Sequence, residues 1–131
     1  MGGTPDSIDY EEAADFRAAL RRFLRRSEEI ARRNGLTPRQ HLLLLMVRGA
    51  PGGTQTATIS DLVARLALTQ STVTELVQRA EDAGLLEREP SPVDGRVFYL
   101  RLTANGERLL AASVAEHGPE RDALLELIRR K

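Results

Sequence analysis

Cysteine is absent from this 131-residue chain. Disulfides, thiolate metal sites and thiol-based redox sensing are excluded with it. Tryptophan is also absent, and only five aromatic residues occur: Tyr10, Phe16, Phe23, Phe98 and Tyr99. An aromatic-lined ligand pocket would therefore be small. Lysine is nearly absent. Of 19 basic residues, 18 are arginine and only Lys131 is lysine, which supplies planar forks suited to phosphate, carboxylate or base edges. Charge of either sign is not in excess, because 19 acidic residues balance the basic ones. A net charge of zero does not announce nucleic acid, although a local patch remains open to it. Long apolar runs are missing too. The longest, "LLLLMV" from Leu42 to Val47, falls far short of the roughly 20 residues of a membrane span. The first residues, "MGGTPDSIDYEEA", are acidic and have no apolar core, so a cytoplasmic location is expected.

Catalytic and metal patterns are equally scarce. His41 and His117 are the only histidines, 76 positions apart, with no ligand-like spacing around either. Each is read as a surface or half-buried side chain, and no metal or cofactor is expected. There is no Gly-rich phosphate loop, no G-x-S-x-G, no motif of paired carboxylates and no nucleophile beside a histidine. The chain is not expected to be an enzyme.

What is present is helical periodicity. The length suits one domain, or a short chain that completes its core by pairing. Residues 1–8 read as a loose arm. From Asp9 to Arg33, Phe16, Leu20, Phe23, Leu24 and Ile30 fall on one helical stripe, closed by Gly35. "LTPRQ" restarts the helix: Thr37 caps, Pro38 takes the first position and Gln40 closes a capping box. The helix to about Arg48 is apolar nearly all round, which predicts a buried centre. "GAPGGTQTAT", 49–58, reads as a flexible loop. Ile59, Leu62, Val63 and Leu66 mark a short helix. After a turn at 68–69, Val73, Leu76, Val77 and Ala80 mark a second that stops at Gly84. Two short helices across such a turn are a helix-turn-helix pattern. "LLEREPS" and "RVFYLRLT" then alternate around "PVDG", which predicts a β-hairpin turning at Asp94-Gly95. Thr103 caps a helix over 104–117, "GP" breaks it, and a last helix carries Leu124, Leu125, Leu127 and Ile128.

This order is mainly α with a small β-hairpin wing: a winged helix-turn-helix with helices added at both ends. The run "LTPRQHLLLL … ISDLVARLALTQSTVTELVQRAEDAGLLERE … DGRVFYLRLTANGERLL" resembles the MarR family of bacterial transcription regulators. The resemblance covers about residues 10–117. It implies a homodimer that binds double-stranded operator DNA as repressor or activator, often released by a small aromatic or anionic effector. It divides the chain into an N-terminal arm and dimerisation helix (1–35), a winged DNA-binding domain (36–103) and C-terminal dimerisation helices (104–131). It also places the family's Asp-x-Arg on Asp94 and Arg96, the arginine entering a minor groove and the aspartate helping to hold it.

The residues support a similar interface on their own terms. At 100° per residue, the face of the 70–83 helix opposite its core carries Ser71, Thr74, Glu75, Gln78 and Asp82. Ser71, Thr74 and Gln78 suit base edges in a major groove, and Gln70 and Thr72 suit phosphate. Glu75 can accept from a cytosine amine or repel phosphate. Arg79 completes the set of candidate DNA contacts. Arg96, at a hairpin tip, suits the negative potential of a minor groove. Against this stands the charge of residues 60–102. Five arginines (65, 79, 88, 96, 101) face seven acids (61, 75, 81, 82, 87, 89, 94), a net −2. That balance favours an alternative: a winged-helix dimer serving as a protein-interaction or ligand-binding module without strong operator binding. The two terminal stripes have no obvious partner within so small a domain, and a dimer interface would bury both.

Overall fold

The computed structural model describes residues 8–129. Six α-helices and one hairpin follow in the order α1 (Tyr10–Arg33), α2 (Pro38–Arg48), α3 (Ile59–Leu66), α4 (Gln70–Asp82), β1 (Leu86–Pro90), β2 (Phe98–Leu102), α5 (Ala104–Glu116) and α6 (Gly118–Arg129). The expected loose arm lies outside the described residues, except for Ile8.

Local chemistry sets most boundaries. The Asp9 carboxylate accepts from the Glu12 N–H at 2.9 Å and starts α1. Asn34 ends it, and Gly35 supplies the positive φ of 85° that the exit requires. Thr37 and Gln40 form the expected capping box. A second box joins Thr58 to Asp61 at the start of α3. Thr103 has two roles. Its hydroxyl accepts from the Gly106 N–H at 3.0 Å and donates to the Gly84 carbonyl at 2.7 Å. The start of α5 is thereby tied to the exit of α4.

The core gathers Leu43, Leu44 and Val47 of α2, Leu62 of α3, Val73, Val77 and Ala80 of α4, Leu86, Leu100 and Leu102 of the hairpin, and Leu110 of α5. Helix α2 is the buried centre the sequence suggests, except that Leu42 is 46% exposed. The inner end of α1 joins the core through Ala31, while Phe16 and Leu24 are exposed. Helix α6 packs along α1 and buries no residue completely.

Two expectations need correction. Residues 49–58 are not simply a loop. Pro51–Gly53 forms a 3-10 turn, and Ala57 pairs with Leu100 as an antiparallel bridge, with N–H···O distances of 3.1 and 2.8 Å. Backbone pairing with a distant strand orders this end of the segment. The histidines are not surface or half-buried side chains: His41 is 7% exposed and His117 4%. His117 stacks on Phe23 with ring centroids 4.3 Å apart. Packing of α1, α2 and α5 closes over both rings, which no local pattern announces.

Burial holds the His41 imidazole below the ordinary value of 6.5, and the His117 charge presses it further down. Burial also lowers His117, against the opposing influence of Glu120 and the Phe23 backbone. The unfolded chain takes up these protons near pH 6.5 and the folded chain only at lower pH. Their contribution to stability is therefore complete above 6.5 and declines as pH falls below it. Thermal unfolding from pH 8 to 5 should show a falling midpoint below 6.5, and a His41→Gln/His117→Gln variant should flatten that fall. Gly106 gives a second test. A Cβ there would stand 2.3 Å from the Leu85 carbonyl oxygen, which is backbone and cannot swing aside. Helix propensity alone would make Gly106→Ala stabilising by about 1 kcal/mol. The contact should instead make it destabilising by about 1–3 kcal/mol in urea unfolding.

Candidate nucleic-acid interface

The helix-turn-helix is built around a three-residue turn. Ala67 leaves α3 in the left-handed conformation at φ 55°, its N–H still donating to the Val63 carbonyl at 3.0 Å. Leu68, half-buried, packs against the core cluster. Thr69 then starts α4: its hydroxyl accepts from the Thr72 N–H at 3.3 Å and bonds the Thr72 hydroxyl at 2.9 Å.

Rotation of α4 is fixed by Val73, Val77 and Ala80, all fully buried, with Leu76 packed beside them. The opposite face is therefore open. Gln70, Ser71, Thr74, Glu75 and Gln78 line one shallow concavity. Thr72 is half-buried at its edge and Arg79 is exposed. Polar side chains on this face also bond one another. Arg79 reaches back to Glu75 at 3.3 Å, and the Gln78 amide donates to Asp82 at 3.1 Å.

The hairpin pairs Leu86 with Leu102, Arg88 with Leu100 and Pro90 with Phe98. The turn is longer than the Asp-Gly pair suggests. Residues 91–97 form the loop, closed by Ser91 N–H to the Val97 carbonyl at 2.9 Å. The buried Ser91 hydroxyl accepts from the N–H groups of Val93 and Asp94 at 3.1 and 3.2 Å. At the tip the Val97 N–H donates to the Asp94 carbonyl at 3.0 Å, a tight turn around Gly95 and Arg96, and the Ser91 bonds hold the residues before it. Asp94 accepts from the Arg96 N–H at 3.0 Å and from its Nε at 3.5 Å, while the arginine side chain is 92% exposed.

The acidic balance of this segment is distributed in pairs. Arg79, Arg88, Arg96 and Arg101 lie beside Glu75, Glu81, Asp94 and Glu89. Arg65 reaches the Gly49 carbonyl instead, at 3.3 Å. The strongest of these pairs, Arg88 with Glu81 at 2.8 Å, is absent from the candidates read from sequence. The hydrogen bond to Glu81 raises the Arg88 pKa above its ordinary value. Its signal was available in "LEREP": Arg88 occupies the same alternating row as Leu86.

The MarR family model matches residues 34–97, which hold all nine candidate contacts. The transcriptional regulator HosA of Escherichia coli O111:H- is 34% identical over 107 residues, 72% of this chain and 76% of that protein. The chain belongs to the MarR family. A MarR family transcription regulator of solved structure is 28% identical with a TM-score of 0.72, covering 89% of this chain and 74% of that one. A mutant MarR protein from E. coli, crystallised in complex with operator DNA, shares the fold at a TM-score of 0.68 and 21% identity. It covers 88% of this chain and 80% of its own. The winged arrangement of α3, α4 and the hairpin is thus that of MarR proteins.

The Thr69 cap offers a direct test of how α4 is held. Thr69→Ala should cost about 1 kcal/mol in chemical unfolding, because a first-turn N–H loses its acceptor. Thr69→Ser should cost much less.

Proposed function

We propose that this MarR family chain is a sequence-specific transcription regulator that binds double-stranded DNA as a homodimer. One observation carries this reading: an exposed polar concavity on a helix whose opposite face is locked into the core. Such a helix can enter a major groove without disturbing its own packing. Ser71, Thr74 and Gln78 then read base edges, Gln70 and Thr72 meet phosphate, and the free N–H groups of the helix start add to phosphate binding. Glu75 and Arg79 read a base and its neighbour, the carboxylate accepting from cytosine N4. Arg96 enters the adjacent minor groove with Asp94 behind it.

The flanking segments, 1–35 and 104–131, serve pairing, and 36–103 serves DNA. Support for pairing comes from apolar side chains left open on the terminal helices: Leu24 at 51%, Leu125 at 36% and Ile128 at 50% exposure. A second copy would cover them and present two recognition helices to neighbouring half-sites. A small-molecule effector has a place in the cavity of about 580 Å³ between the terminal helices and α2. Phe23, Leu24, His41, Leu42, Val114 and His117 are among its walls. The cytoplasm is the compartment that this reading requires.

The net −2 of residues 60–102 favours the rival module that does not bind an operator. DNA titration decides between them. Duplexes selected from random sequence should bind with an affinity that falls steeply with salt. Arg96→Ala should weaken binding about tenfold and lower the salt slope by about one, most on A·T flanks, with the fold unchanged. Glu75→Ala should broaden base preference if the carboxylate reads cytosine. Uniformly tighter binding to every sequence would show instead that it only repels phosphate. A chain that selects no duplex would make the module the better reading. Light scattering should give a dimer that Leu125→Glu/Ile128→Glu converts to monomer.

A further inference from the structure

The hairpin register sorts β1 into two faces. Leu86, Arg88 and Pro90 stand opposite Leu102, Leu100 and Phe98. Leu86, Leu100 and Leu102 at the base of this face are buried in the core, while Arg88, Pro90 and Phe98 toward the tip are exposed. Arg88 therefore occupies a row in which every facing neighbour is apolar. Its Nε donates to Glu81 Oε2 at 2.8 Å, and Glu81 lies in the last turn of α4. Its guanidinium also sits 5.9 Å from the centre of the Phe98 ring. Phe98 is the first residue of β2 and lies two positions after Arg96. Arg88 thus touches the recognition helix and the strand that carries the wing loop.

Arg88 is 37% exposed and Glu81 20%, so the pair lies at the open edge of this row and its direction matters more than its strength. A short directional bond at such an edge fixes one arrangement among several even where it adds little stability. The arrangement matters because the hairpin is a lever. Arg96 lies six residues from the base of β2, about 20 Å at ~3.4 Å per residue. A tilt of about 10° at that base would move the tip by roughly 3–4 Å, more than a hydrogen bond tolerates. A directional Nε–H···O bond resists such sliding more than an apolar contact does.

We propose that Glu81 and Arg88, with Phe98, form a positioning brace that fixes the pitch of the wing relative to α4. The brace brings Arg96 to the minor groove while α4 is in the major groove. Glu81 and Arg88 touch no base in this role. The inference rests on the DNA-binding reading above and deepens it.

The test is a set of double-mutant cycles on the full chain, using duplexes with A·T or G·C flanks. Arg96→Ala is measured in the wild-type, Glu81→Gln, Arg88→Met and Arg88→Lys backgrounds. In the wild type it should weaken binding about tenfold. In Glu81→Gln and Arg88→Met the same change should cost less than about twofold, and the preference for A·T flanks should vanish. Arg88→Lys should keep part of the coupling, because the charge remains without the fork. Circular dichroism and light scattering confirm that each variant is folded and dimeric. Glu81→Gln, nearly equal in size, keeps the test available if Arg88→Met fails to fold. An Arg96→Ala penalty undiminished in both Glu81→Gln and Arg88→Met overturns the brace and leaves the DNA-binding wing standing. No penalty in the wild type overturns the wing itself, and the brace with it.

Discussion

The seam between α2 and α4 governs the rest of this molecule. Leu43, Leu44 and Val47 meet Val73, Val77 and Ala80 in one core, all essentially without solvent exposure. Each large side chain so buried contributes about 1.5–3 kcal/mol. Rotating α4 by a single residue, 100°, would expose part of that set and bury Thr74 or Glu75. The core therefore decides which residues of α4 are available to a ligand. It also holds the hairpin, since Leu86, Leu100 and Leu102 belong to the same cluster. Recognition helix and wing are two edges of one apolar centre.

Charge acts by position here rather than by total. Residues 60–102 carry net −2, yet Arg96 extends into solvent, 92% exposed, with Asp94 beside it at 3.5 Å. Exposed pairs of this kind are worth about 0–1 kcal/mol. Glu75–Arg79 and Asp94–Arg96 can therefore open toward phosphate or base edges at small cost. Glu81–Arg88 differs: Glu81 is only 20% exposed and the bond is short. It belongs to the framework that aims the open pairs.

The terminal helices join this centre at one corner. Asn34 donates to the Ile30 carbonyl and to Glu116, and Glu116 is also paired with Arg33. Beside this knot lie His117 on Phe23, and His41 on α2. These bonds fasten the end of α1 to the end of α5, from which α6 packs along α1.

Sequence by itself determined the elements and their order, because their signals act over three or four residues. Thr37 with Gln40, Thr103, Gly35 and Gly84 mark ends through bonds or φ angles that belong to the backbone next to them. The stripes at 59–66 and 70–80 fixed which face of each helix is apolar, and so made the exposed set on α4 legible. Tertiary structure alone decided the contacts between distant segments. Ala57 became a bridge partner of Leu100, Ser91 bonded Val93 and Asp94 ahead of the turn at Asp94–Val97, and His41 and His117 were both buried. Gly106 proved necessary only because the Leu85 backbone passes against it. Arg88 shows the boundary between the two. Its place in the same row as Leu86 was readable from alternation, but its partner Glu81 was not, because only the packing of β1 onto α4 brings that carboxylate within 2.8 Å.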